Sequence, residues 1–333
     1  MPERVTSEQV SVVIPAFNAR AVIARALGSV LAQSSAPAEV IVVDDGSSDG
    51  TEEVVGQVGG VRYVRQKNAG PSAARNRGAD VASGELLYFL DADDELLPRG
   101  LEHLCAAMGA FREAGAASGA LLYDAGGPLR RLPAPGAILG GRGRRGLVHD
   151  FFEVARRHYI AASGSVLMRA DAFRAVGGFR ADLRMGEDTN LWSRIAGRFP
   201  WAFVDEAVFA YHHHPCTSMT RRVRESDKPT NFLLSEPEMR RAIREELWRS
   251  YRSYRRDAAL TQARDALHQG ARRAARELMS GIAPAELTMR WIVTSGLAAL
   301  PAPISRGALT ALLRLREAAA RLRGREPTRW VGQ

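Results

Sequence analysis

Residues 85–98 read ELLYFLDADDELLP. A mostly apolar run of strand length, Glu85 to Leu90, passes directly into four carboxylates, Asp91, Asp93, Asp94 and Glu95. Like charges this close repel unless something positive stands between them. A buried strand ending in uncompensated acid therefore marks a place where a ligand is expected. The neighbours of that strand decide which fold presents it.

Upstream, the chain alternates between strand and helix patterns. Val10 to Ile14 is an apolar run closed by Pro15, and residues 20–33 carry Val22, Ile23, Ala26, Leu27, Val30 and Leu31 at helical spacing. Glu39 to Val43 is a second β-branched run, and it too ends in acid, at Asp44-Asp45-Gly46. Ser48 or Asp49 is placed to cap a helix over 50–58. A third short strand is expected at 61–64 and a helix at 70–82. The alternation predicts an α/β fold with a mostly parallel sheet flanked by helices. The continuous apolar runs fit strands buried on both faces. Ligands of such sheets bind beyond the carboxyl ends of the strands. Asp44-Asp45 and Asp91 to Asp94 both fall there, so the two clusters are expected to converge on one site.

Downstream, a helix is expected over 98–114, starting at Pro98, and a strand over 118–123. Residues 124–147 are rich in Gly, Pro and Arg without periodicity, which predicts a mobile loop or lid. A strand at 166–168 and a helix at 170–176, broken by Gly177-Gly178, come next. Glu187 to Phe199 is amphipathic, and Trp201 to Tyr211 is a last strand ended by His212-His213-His214-Pro215. After about residue 225 the pattern changes to helices, roughly 237–256, 258–279, 285–299 and 306–323. This divides the chain into a catalytic domain, 1–225, and a basic helical region, 226–333.

Charge follows the same division. Residues 1–225 hold 26 Lys+Arg and 26 Asp+Glu, so the net charge of +9 belongs to the last third of the 333-residue chain. Apolar residues make up 46%, which excludes a disordered protein. Two cysteines, Cys105 and Cys216, make neither a disulfide framework nor a zinc set, and they suit a reducing compartment. The opening residues carry no apolar signal segment, and no run is long enough to span a bilayer. The expectation is a cytoplasmic protein, with contact at the inner membrane face as the alternative.

Several residue sets point to chemistry. Asp91 and Asp93 form a D-x-D pair able to present oxygens to Mg²⁺ or Mn²⁺, which leave positions open for phosphate. The competing reading is a solvated turn in which Asp94 caps the next helix. An Asp at the end of the second strand can accept from a ribose or a base N–H; otherwise Asp44 to Ser47 is a tight turn. Gln66 to Asn76 opens a helix whose first N–H groups, with Arg75 one turn in, can face phosphate or base. Neither G-x-x-x-x-G-K-[ST] nor G-x-G-x-x-G is present. Asp188 is either a helix cap or a general base for a hydroxyl. One of His212 to His214 can serve as a metal ligand.

Together these segments resemble the family 2 glycosyltransferases with the GT-A fold. Ser11 to Asn18, Ile41 to Ser47, Asn68-Ala69-Gly70 with Ala74-Arg75-Asn76, Leu90 to Asp94, Gly186-Glu187-Asp188 and Tyr211 to Pro215 occur in the family's order. The resemblance implies inverting transfer from a nucleotide sugar, usually UDP-linked, to a hydroxyl of a saccharide, lipid-linked or other acceptor in cell-surface polysaccharide or glycoconjugate assembly. Asp45 would contact uracil, with Pro15, Ala16, Phe17, Asn18 and Asn68 in the same pocket and Arg75 nearby. Asp93 or Asp94 would bind Mg²⁺ or Mn²⁺, with Asp91 toward ribose or metal. Asp188, beside Glu187, would be the base. His214 would be a further metal ligand or diphosphate contact; His212 sits where the family often has Arg. Gly164 to Phe179 resembles the family's acceptor wall.

Departures shape the expectation. No Q-x-x-R-W is present, so one sugar per encounter is expected, not polymerisation. The rival enzyme class, a nucleotidyltransferase, would want a Gly-rich phosphate loop where Pro15-Ala16-Phe17-Asn18 stands. A non-catalytic nucleotide-sugar binder or scaffold is the rival outside enzymes. The basic C-terminal helices read as a bundle packed on the catalytic domain or as a peripheral membrane contact. No nucleic-acid motif accompanies their charge.

Overall fold

A computed structural model describes residues 5–124, 129–133, 136–139, 143–183, 186–212, 236–268 and 272–280. The first half is β1 (Val10–Ala16), α1 (Ile23–Leu31), β2 (Glu39–Asp44), α2 (Thr51–Gly56), β3 (Val61–Arg65), α3 (Pro71–Val81) and β4 (Leu86–Phe89). β1 lies between β2 and β4 and runs parallel to both, and β2 is parallel to β3. The chain thus steps outward from β1 to β3, then returns to the other side of β1. The crevice where the order reverses opens beyond the carboxyl ends of β1, β2 and β4.

The two-sided burial read from the apolar runs is explicit in the packing. Val13, Ile41, Val43, Leu87 and Phe89 face one cluster, which α3 covers with Ala74 and Ala79. Val12, Ile14, Val40, Val42 and Tyr88 face the other, which α1 covers with Ile23, Ala26, Leu27 and Val30. Gly78 lets α3 lie close on β1: a Cβ there would stand 2.2 Å from Val13 Cγ1.

The second half is β5 (Glu95–Leu96), α4 (Gly100–Ala110), β6 (Ala116–Asp124), β7 (Arg130–Leu132), β8 (Arg145–Val148), α5 (Phe151–Ala155), β9 (Val166–Arg169), α6 (Ala170–Ala175), α7 (Glu187–Arg198) and β10 (Trp201–His212). Among the described residues ten strands form one sheet, with the path β3-β2-β1-β4-β9-β6-β10-β5. β9 runs antiparallel between β4 and β6, while β10 is parallel to β6. β4, β6 and β10 therefore point the same way, and their carboxyl ends share one edge of the sheet.

Three expectations change. The helix expected from Pro98 starts at Gly100, because Glu95-Leu96 pairs with Phe209-Ala210 of β10 first. Within 124–147, β7 pairs with β6 and β8 with β10, so parts of the expected loop are edge strands. The helices expected at 237–256 and 258–279 are instead α8 (Glu236–Ala242), α9 (Glu245–His268) and α10 (Arg272–Ser280). The stripe Leu247, Tyr251, Tyr254, Ala258 continues unbroken through 257, and the actual break is where Arg244 N–H bonds Gly197 O, 2.9 Å. Met239, Ile243 and that stripe join the cluster containing Leu191, Trp192 and Trp201, so α8 and α9 pack on the sheet's helical layer. The helices expected at 285–299 and 306–323 lie outside the described residues.

Candidate active site

The loop after β1 and the loop after β2 are tied together. Asn18 N–H donates to Ser47 Oγ (2.9 Å), and Ser48 N–H donates to Asn18 Oδ1 (2.9 Å). Asn18 adopts φ +50°, a turn conformation that Asn tolerates. This fixes Pro15, Ala16 and Asn18 at the mouth of the crevice and leaves the Phe17 ring 48% exposed. Asp44 is spent on structure, accepting from Ser47 N–H at 2.7 Å and from the Tyr63 hydroxyl.

Asp45 reaches across to the segment before α3. Its carboxylate accepts from Gln66 Nε2, Ala69 N–H and Gly70 N–H, each at 2.8 Å. Asn68, exposed, stands in the same loop against Gly46. The six residues expected to line a donor pocket, Pro15, Ala16, Phe17, Asn18, Asp45 and Asn68, are thus gathered at one end of the crevice. A carboxylate has about four acceptor positions, so three bonds leave Asp45 one more.

The acidic turn is the other wall. Asp94 N–H closes a turn on Asp91 O (3.0 Å), and His212 N–H at the end of β10 donates to Asp94 Oδ1 (3.1 Å). Asp94 is 2% exposed. Burial, then the charges of Asp91 and Asp93, hold its carboxyl well above the usual carboxylate range; the His212 N–H and Arg25 oppose this only in part. Arg25 also donates to the backbone oxygen of Asp93. His212 pairs its ring with Glu95 (Nε2 to Oε2, 3.2 Å), and His214 lies outside the described residues.

Arg75 joins the parts. It is 4% exposed and holds Asp91 through Nη2 (2.6 Å) and Glu187 through Nη1 (2.8 Å), with its guanidinium 5.2 Å from the centre of the Phe179 ring. The two carboxylates raise its pKa further. Sequence reading placed Arg75 near the donor but missed this bridge, since nothing in the chain links position 75 to position 187.

Asp188 follows Glu187 at the first turn of α7, entered through Gly186 at φ +74°. It accepts from Thr189 N–H at 2.6 Å. Enclosure by protein, then the Glu187 charge, push its carboxyl up to about 6, while Thr189 N–H and Arg75 pull it down. A partly buried carboxylate ionised near neutral pH is suited to taking a proton from a hydroxyl.

Residues 11–177 match the family model for glycosyl transferase family 2. The chain belongs to that family. It is a glycosyltransferase. Over 102 residues it is 39% identical to the GalNAc(5)-diNAcBac-PP-undecaprenol beta-1,3-glucosyltransferase of Campylobacter jejuni. That alignment covers 29% of this chain and 33% of the relative, so the chain spans about a third of that protein's length. The fold is shared with S. aureus TarS 1-349 in complex with UDP-GlcNAc, at TM-score 0.58 and 16% identity, covering 97% and 95% of the two chains. It is also shared with the mannosyltransferase PcManGT of Pyrobaculum calidifontis in complex with GDP-Man and Mn2+, at TM-score 0.53 and 18% identity over 94% and 80%. The fold is the GT-A arrangement of these glycosyltransferases.

Proposed function

We propose that this glycosyltransferase moves one sugar, with inversion, from a nucleoside-diphosphate sugar, UDP-linked by preference, to a hydroxyl of a saccharide or lipid-linked acceptor in cell-surface polysaccharide or glycoconjugate assembly. The observation that carries the reading is the Arg75 bridge, which sets the Asp188 carboxylate beside the acidic turn at the mouth of the crevice. The UDP-sugar and GDP-sugar complexes of the structural neighbours support the donor class.

The acceptor oxygen attacks the anomeric carbon from the face opposite the diphosphate. The carbon–oxygen bond to the diphosphate breaks, the nucleoside diphosphate leaves, and Asp188 takes the hydroxyl proton. One displacement inverts the anomeric centre. Asp45, Asn68 and Pro15 to Asn18 hold the nucleoside. Arg75 fixes Asp91 toward the ribose or the diphosphate and keeps Glu187, and with it Asp188, in place. The absence of Q-x-x-R-W supports single transfer.

Mg²⁺ or Mn²⁺ suits the donor set. Asp91, Asp93 and Asp94 offer only oxygen, and the charges of Asp91 and Asp93 add to burial in raising the Asp94 pKa, a crowding that a cation relieves. Among the described residues no three His, Cys, Asp or Glu side chains gather into a ready cage. Asp93 or Asp94 would hold the ion, with phosphate oxygens and water completing the set, as hard cations accept. When bound, it neutralises charge growing on the leaving diphosphate.

The test is release of nucleoside diphosphate from a panel of UDP- and GDP-sugars with and without Mn²⁺. Release from one donor, lost with chelator, is expected. No release from any donor, with or without acceptor extracts, overturns the reading. Peripheral membrane contact rests on sequence alone; no helix among the described residues is long and apolar enough to cross a membrane.

A further inference from the structure

We infer that Tyr123 and Tyr211, with Tyr159 behind them, form a stacking platform for a pyranose ring of the acceptor. The inference rests on the transferase reading and adds the acceptor subsite to it.

Tyr123 and Tyr211 are register partners near the carboxyl ends of the parallel strands β6 and β10. Their rings stack with centroids 5.6 Å apart and planes 13° apart. Both rings are only partly buried, packed at their base on Leu121, Ala162 and Phe209 beside Leu132 and Tyr159. A core pair would be fully buried; both members of this pair stay partly exposed, near the carboxyl ends of their strands.

The platform adjoins the acidic turn. His212, next to Tyr211, gives its backbone N–H to Asp94, so the end of β10 is fastened to the acidic turn. The Tyr211 hydroxyl feels Asp94, Asp93 and Asp91. The Tyr159 hydroxyl, buried, also feels Asp188, Tyr211 and Asp94. An aromatic surface reaching from the acidic turn toward the base is where an attacking saccharide has to lie.

The nucleobase is a poor occupant. β6 is three strand spacings from β1, about 14 Å, and β10 is one further. The pocket around Asn18 and Asp45 already lies at the β1–β2 end. A sugar ring presents an apolar C–H face that packs on an aromatic ring and hydroxyls that reach tyrosine hydroxyls and carboxylates, and this site offers both.

The experiment is saturation-transfer NMR on the full chain with UDP present, using methyl glycosides of glucose, galactose, mannose and N-acetylglucosamine and a β-linked disaccharide as probes. Transfer to the ring C–H protons of at least one probe is expected. Tyr123→Ala and the double variant with Tyr211→Ala should weaken that probe about tenfold, while Tyr123→Phe and Tyr211→Phe, which keep the rings, should retain it. The single variant serves if the double variant does not fold. No probe binding at about 10 mM, or equal binding by the Ala and Phe variants, overturns the platform. Because no donor sugar is used, failure of the transferase reading appears separately, in the nucleotide-release assay.

Discussion

Arg75→Met tests the central claim that one buried guanidinium holds the acidic turn and the base together. The variant keeps most of the side-chain volume and the Phe179 contact but removes the charge between Asp91 and Glu187. Breaking a buried pair by removing one partner costs about 3–5 kcal/mol. The Asp91 side chain is 32% exposed and Glu187 13%, so solvent relieves part of the loss and the lower end, about 3 kcal/mol, is expected. Activity should change in a second, separable way. Arg75 pulls the Asp188 pKa down, so its loss raises that pKa above about 6. The acid limb of kcat/KM, near pH 6 in the wild type, should move to higher pH. Arg75→Lys keeps the charge but cannot fork to two carboxylates, so it should restore the limb better than the stability. The measurements are urea unfolding at fixed metal and a pH–rate profile on the donor identified by nucleotide release. An unchanged unfolding midpoint together with an unchanged acid limb would refute the bridge.

Asp188→Asn should abolish transfer while donor binding by calorimetry persists; near wild-type turnover would remove Asp188 as the base. The same variant should be more stable than wild type above pH 6. The folded pKa of about 6 lies above the ordinary aspartate value of 3.8, so the wild type loses up to about 3 kcal/mol as pH rises from about 4 to 6. Asparagine has no such loss; parallel pH–stability curves would contradict this. Mn²⁺ binding should release protons and tighten with rising pH, because Asp94 is held above the usual carboxylate range; calorimetry in buffers of different ionisation enthalpy reads this, and buffer-independent heats would count against Asp94 as a ligand. Gly78→Ala should destabilise by about 1–3 kcal/mol, since its Cβ meets Val13 on β1; a variant melting with wild type would show that α3 can shift outward freely.

The parts legible in the sequence are those whose physics is local. β1, β2 and β4 could be read because both faces are buried and each run ends in Pro or acid. That Asp45 and Asp91 follow the carboxyl ends of strands pointing the same way was legible from parallel strands alone. β7 and β8 could not be read, because three- and four-residue edge strands rich in Arg and Gly carry no period. The gap expected between 256 and 258 does not occur; Asp257 lies inside α9 and pairs with Arg156 at 2.9 Å. The roles of Arg75 and Tyr123 depend on partners more than eighty residues away in sequence, at Glu187 and Tyr211, and a chain read without contacts has no signal for them.

The charge problem posed by residues 85–98 also takes a more definite form. Arg75 neutralises the first member, Asp91, and is itself shared with Glu187. Arg25 binds the turn through the Asp93 backbone, and its charge lowers the Asp94 pKa only in part. Asp94 and Asp188 thus sit in the field of neighbouring carboxylates that Arg25 and Arg75 offset in part. Burial first, and then the neighbouring negative charges, lift Asp94 and Asp188 above ordinary carboxylates. A diphosphate brought alone into such a site would be repelled; brought with a divalent cation it would be held, and the same neutralisation would lower Asp94. The raised base and the proposed use of a metal would then share one electrostatic contribution. It predicts that the pH dependence of turnover and of metal affinity shift together when Arg75 is replaced.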